Sequence, residues 1–156
     1  VKYLILFSTL LSLLACGQPQ GTVTGPAIAD LRGQWVVINY WAQWCKPCIE
    51  EIPELNALDR DYPQVTVLGV NYDGASGEEL ESQREQLGVT FTSLIEDPAE
   101  QLGKSRPVVL PTTFIVNPEG KLAAELMGPQ TLESLLQATE QTPKEAAEET
   151  APQVKN

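Results

Sequence analysis

Two cysteines two residues apart, Cys45 and Cys48, stand where an apolar run meets a helix-like one, and that junction restricts the fold more than any other stretch. Residues 36–41, Val-Val-Ile-Asn-Tyr-Trp, are almost continuously apolar, as in a central strand covered on both faces. After the pair, Ile49, Ile52, Leu55 and Leu58 recur at helical spacing, with Pro53 expected to kink the helix just past its first turn. The pair thus falls at a helix N-terminus, whose free N–H groups and partial positive charge favour a thiolate over a thiol. Cys45 is expected to be the nucleophile, and Cys48, one turn further in, the resolving thiol. The arrangement points to a reversible dithiol.

Two blander uses of the motif fit less well. A structural zinc site needs about four ligands, and the chain has three cysteines and no histidine. A purely structural disulfide closing so short a loop removes little entropy from the unfolded chain. Redox chemistry is what remains, with no metal and no cofactor expected.

The third cysteine, Cys16, has a different explanation. Residues 1–15 carry a basic Lys2 and an apolar stretch too short to span a bilayer as a permanent helix. They end in Leu13-Leu14-Ala15-Cys16, which resembles the lipobox of bacterial lipoproteins, implying lipidation at Cys16 and removal of residues 1–15. Acyl chains there would anchor the protein durably to a membrane, facing the periplasm or another extracytoplasmic space. Residues 16–27, rich in Gly, Pro, Gln and Thr, read as a flexible tether. Residues 142–156, dominated by Glu, Ala, Thr, Pro, Gln and Lys, read as a disordered tail. The net charge of −11 argues against nucleic acid as a partner.

Residues 28–141 remain for one domain, expected to be a monomer. A second strand at 65–71, a helix at 77–87, a short strand at 90–95 and a short helix at 97–102 capped by Asp97 follow the cysteines. Strands at 112–116 and 122–127 flank the turn Asn117-Pro118-Glu119-Gly120, and a helix at 131–141 with Thr131 as cap closes the domain. Such an order gives an α/β fold, a central mixed sheet flanked by helices on both faces. It is the order of the thioredoxin fold.

The residues carry a closer likeness. Trp41-Ala42-Gln43-Trp44-Cys45-Lys46-Pro47-Cys48-Ile49-Glu50-Glu51-Ile52-Pro53 resembles the active-site signature of the TlpA-like branch of the thioredoxin superfamily. Leu110-Pro111-Thr112-Thr113-Phe114-Ile115-Val116-Asn117-Pro118-Glu119-Gly120 resembles that branch's second signature. The longer β-hairpin with which the family usually opens is represented only by Ile28-Ala29-Asp30-Leu31-Arg32-Gly33. The resemblance implies a membrane-tethered, envelope-facing thiol-disulfide oxidoreductase. It implies a cis Pro111 facing the disulfide, with the backbone of Leu110 open to pair with an extended substrate segment. It also implies that Glu51, on the helix face of Cys48, moves protons at the thiols. Asn39 occupies the place where cytoplasmic thioredoxins carry a buried aspartate, which gives Glu51 added weight. Lys46 is expected to favour the Cys45 thiolate, Pro47 to stiffen the turn, Trp41 to pack and Trp44 to touch substrate.

The expected partners are client proteins with disulfides and a membrane thiol carrier that supplies electrons; the family suggests clients such as apocytochrome c. Four competing readings are weighed against this one. A disulfide-forming oxidase on the same fold differs only in reduction potential. A copper metallochaperone would need a histidine ligand, which the chain lacks. A lipid-anchored binding module would carry an unreactive CxxC. A thiol peroxidase is disfavoured by the absence of its Thr-x-x-Cys context, since Ala42 stands three before Cys45.

Overall fold

The computed structural model describes residues 28–143. The expected signal segment, Cys16, the expected tether and all but the first two residues of the expected tail lie outside the described residues.

Eight regular elements follow one another: β1 (Trp35–Trp41), α1 (Lys46–Asp61), β2 (Val65–Asn71), α2 (Gly77–Leu87), β3 (Thr92–Leu94), β4 (Thr112–Val116), β5 (Leu122–Met127) and α3 (Leu132–Ala138). The five strands form one mixed sheet in the order β3-β2-β1-β4-β5. β1, β2 and β3 run parallel, and β4 and β5 are antiparallel to their neighbours. The most apolar run becomes the middle strand, since only there are both faces covered.

Helical turns cover both faces, but unequally. Val37 and its row pack under all three α-helices, with Leu55 from α1, Leu87 from α2 and Leu135 from α3. Val36, Ile38 and Tyr40 point the other way, where two 3-10 turns, Ile28–Leu31 and Glu100–Leu102, do the covering. Ile28 and Leu31 thereby add apolar surface to this side of the core.

Several boundaries differ from expectation. α1 starts at Lys46, ahead of the periodic residues that begin at Ile49, and carries Pro53 on its exposed side, where water can meet the carbonyl that loses its partner. β3 keeps only the three residues that pair with β2. Within 97–102 only Glu100–Leu102 is helical, a single 3-10 turn, while the Asp97 carboxylate accepts from Ala99 N–H and Tyr40 and pairs with Arg106. At Thr131 the cap forms as expected, with Ser134 completing a reciprocal capping box.

The register gathers one end of the sheet. Trp41 lies opposite Asn71, Tyr40 opposite Thr112, and Thr112 opposite Met127. The loop after β1, the loop after β2 and the segment before β4 therefore meet there, and that end holds both cysteines.

Candidate active site

Cys45 is the N-cap of α1, its backbone still extended, and its Sγ accepts a hydrogen bond from Cys48 N–H at 3.3 Å. Pro47 falls in the first turn, where a missing N–H costs nothing. The two cysteines are joined in a disulfide. Cys45 is 4% exposed and Cys48 fully buried, so Cys45 is the sulfur that a partner reaches. The N–H that meets Sγ in the disulfide also favours negative charge once the bond is reduced. Lys46 turns outward and lies 3.8 Å from Glu50, with both side chains largely exposed, so its closest charged neighbour is an acid.

Glu51 follows Cys48 by three residues on α1 and is 1% exposed. One carboxylate oxygen, Oε1, accepts from Asn39 Nδ2 at 2.6 Å, and Oε2 accepts from the Gln130 backbone N–H at 2.8 Å. Burial pushes its pKa up to about 7, against the opposing pull of the Gln130 and Asn39 hydrogen bonds. An acid whose pKa is raised into that region can take a proton or give one back. Its neighbour Glu54 accepts from Leu132 N–H at 2.8 Å, so two acids on α1 grip the start of α3.

The Leu110–Pro111 peptide is cis, as the resemblance implies. Leu110 packs against the apolar cluster that contains Trp41, Ala42 and both cysteines, which brings the two sequence signatures into contact. The Pro111 carbonyl accepts from Gly128 N–H at 2.9 Å, joining this segment to the loop that also reaches Glu51. Trp41 is fully buried, whereas Trp44 is 66% exposed and donates from Nε1 to Asp73 Oδ2 at 2.9 Å.

One group of residues escaped the sequence reading. Tyr40 donates to Asp97 Oδ1 at 2.7 Å, Arg106 Nε lies 3.0 Å from Asp97 Oδ2, and the Arg106 guanidinium stacks on Tyr72, whose carbonyl it also meets. The segment leading to Pro111 is thus pinned to the ends of β1 and β2. No local pattern announces such a network, since Tyr40 and Asp97 are 57 residues apart.

A family model described as the AhpC/TSA family matches residues 18–125, most of the chain. The chain belongs to the AhpC/TSA family. Within it, the relatives are thiol-disulfide oxidoreductases of the TlpA-like, thioredoxin-superfamily kind. The thiol-disulfide oxidoreductase ResA of Geobacillus thermodenitrificans is 35% identical over 115 residues, which cover 72% of this chain and 66% of that protein. ResA of Bacillus thuringiensis is 32% identical over 112 residues, covering 69% of this chain and 63% of that one. The aligned part of this AhpC/TSA-family chain therefore spans a little under two thirds of those relatives' length. Among solved structures, a DsbF homologue from Corynebacterium diphtheriae superposes with a TM-score of 0.61 at 27% identity, covering 72% of this chain and 74% of that one.

Proposed function

We propose that this chain is a thiol-disulfide oxidoreductase of the cell envelope that reduces disulfides in client proteins through Cys45 and Cys48. The observation that carries the reading is the placement of Cys45 Sγ at the N-cap of α1, with the buried Glu51 three residues beyond Cys48. In the reduced protein, the Cys45 thiolate attacks one sulfur of a client disulfide. A Cys45–client S–S bond forms, the client S–S bond breaks, and the first client sulfur leaves as a thiolate that takes up a proton. Glu51 accepts the proton of Cys48, whose thiolate then attacks Cys45 Sγ and displaces the second client sulfur. Two electrons have passed to the client, and the Cys45–Cys48 disulfide awaits a membrane thiol donor. No cofactor is needed for either exchange.

Leu110, with Pro111 behind it, offers open backbone for an extended client segment beside Cys45, and Trp44 flanks the same opening. Lys46 and Pro47 complete the rim. The lipobox-like residues support lipidation at Cys16, with residues 16–27 as tether, residues 28–141 as a monomeric catalytic domain and residues 142–156 as a tail. Among the described residues no helix is long and apolar enough to cross a membrane.

The deciding experiment is the reduction potential of the Cys45–Cys48 couple, equilibrated against glutathione or dithiothreitol. A value near about −270 mV, thioredoxin-like, is the expected result. A value near about −120 mV would make the protein an oxidant and reverse the direction. Absence of a reversible couple would overturn the oxidoreductase reading altogether. As a companion, Cys48→Ala is expected to trap a client on Cys45 as a mixed disulfide visible by non-reducing mass analysis, and Cys45→Ser to trap none.

A further inference from the structure

Asn39 lies on β1 directly opposite Thr113 on β4, and its amide bridges that strand and α1. Its Nδ2 donates both hydrogens, to Glu51 Oε1 at 2.6 Å and to Thr113 Oγ1 at 3.1 Å. All three residues are at most 1% exposed. When ionised, Glu51 only accepts, so the NH2 half of the amide faces it in the charged form, and Thr113 Oγ1 takes the other hydrogen. The amide oxygen is left without a partner among the described residues, so the orientation serves the acid and not the amide.

We propose that Asn39 is the positioning residue of the buried acid: oriented by Thr113, its amide fixes the Glu51 carboxylate and stabilises its charged form. This rests on the reading that Glu51 serves the dithiol. Among the described residues, two hydrogen bonds, from Gln130 N–H and from Asn39, oppose the cost of burying that charge. The charged groups on the packed elements do not take this role. Glu54 is committed to Leu132 N–H, Glu50 and Glu133 are exposed, Lys46 projects outward, and β4 brings no ionisable side chain.

The test follows the Glu51 carboxyl carbon by NMR against pH in the oxidised full chain, its signal assigned by loss in Glu51→Gln. Asn39→Leu, similar in size but without a donor, is expected to raise the Glu51 midpoint by about one pH unit or more. Thr113→Val is expected to raise it in the same direction, and Thr113→Ser, which keeps the hydroxyl, to leave it in place. A wild-type midpoint in both Asn39→Leu and Thr113→Val would overturn the proposal even if melting temperatures fell, because a merely structural role predicts that result. Should Asn39→Leu fail to fold, the Val and Ser pair at position 113 decides alone. The pH profile of thiol exchange separates the two readings. If it moves with the midpoint, both stand; if the midpoint moves and the profile does not, Asn39 keeps its role and the Glu51 proton transfer is overturned.

Discussion

A carboxyl buried three residues beyond Cys48 makes folding depend on pH. Glu51 has its pKa raised in the folded protein to about 7 from an ordinary value near 4.5, chiefly by burial. Below the ordinary value both folded and unfolded chains hold the proton, and nothing is lost. As pH rises towards 7 the unfolded chain releases it while the folded chain keeps it, so stability falls across that window. Comparing wild type with Glu51→Gln by urea titration from pH 4.5 to 8 should isolate this slope, worth at most about 3 kcal/mol. It should be present in the wild type and flattened in the variant; equal slopes would mean that Glu51 ionises normally. At pH 7 the same variant should resolve a Cys45–client mixed disulfide about 100-fold more slowly, with alkylation of reduced Cys45 little changed.

Elements are joined here by small features that fix how they approach. Gly69 on β2 lies under Trp41 and Phe91, and a Cβ added there would come 2.8 Å from Phe91 Cε2 and 2.9 Å from Trp41 Nε1. Both rings are fully buried, so neither can move aside cheaply. Gly69→Ala is therefore expected to cost about 1–3 kcal/mol by overpacking, read as a lower urea midpoint at unchanged m-value. At the start of α3, Thr131 accepts from Ser134 N–H, and Glu51 and Glu54 take the neighbouring N–H groups of Gln130 and Leu132. Thr131→Ala should cost about 1 kcal/mol, with the disulfide couple unaltered.

Across the whole molecule, exposed apolar side chains are unevenly spread. Among the described residues the large ones are Trp44, Ile95, Val108, Val109 and Met127. The register puts all five at the end of the sheet that carries the disulfide: after β1, after β3, before β4, and opposite Thr112 on β5. A surface of this kind suits a polypeptide client with apolar residues beside its cystine. Paired substitution Trp44→Ala and Met127→Ser should raise KM for protein disulfides several-fold while leaving exchange with glutathione disulfide and the reduction potential nearly unchanged. An equal loss on both substrates would place the effect on the dithiol and not on docking.

What the chain determines by itself is whatever its physics keeps local. The central strand, the helix capped by Cys45, the turn at 117–120 and the Thr131 cap are each specified by periodicity or by one residue's chemistry within a few positions. The second signature at Leu110–Pro111 was legible as a resemblance, and its contact with the cysteines follows from the fold. Tertiary structure alone decided what Glu51 meets, because Asn39 is 12 residues before it and Gln130 79 after. It likewise drew Asp97 to Tyr40, 57 residues before it, and to Arg106. Hydrogen bonds between distant residues leave no period in a sequence, and they exist only once the sheet has brought their strands together.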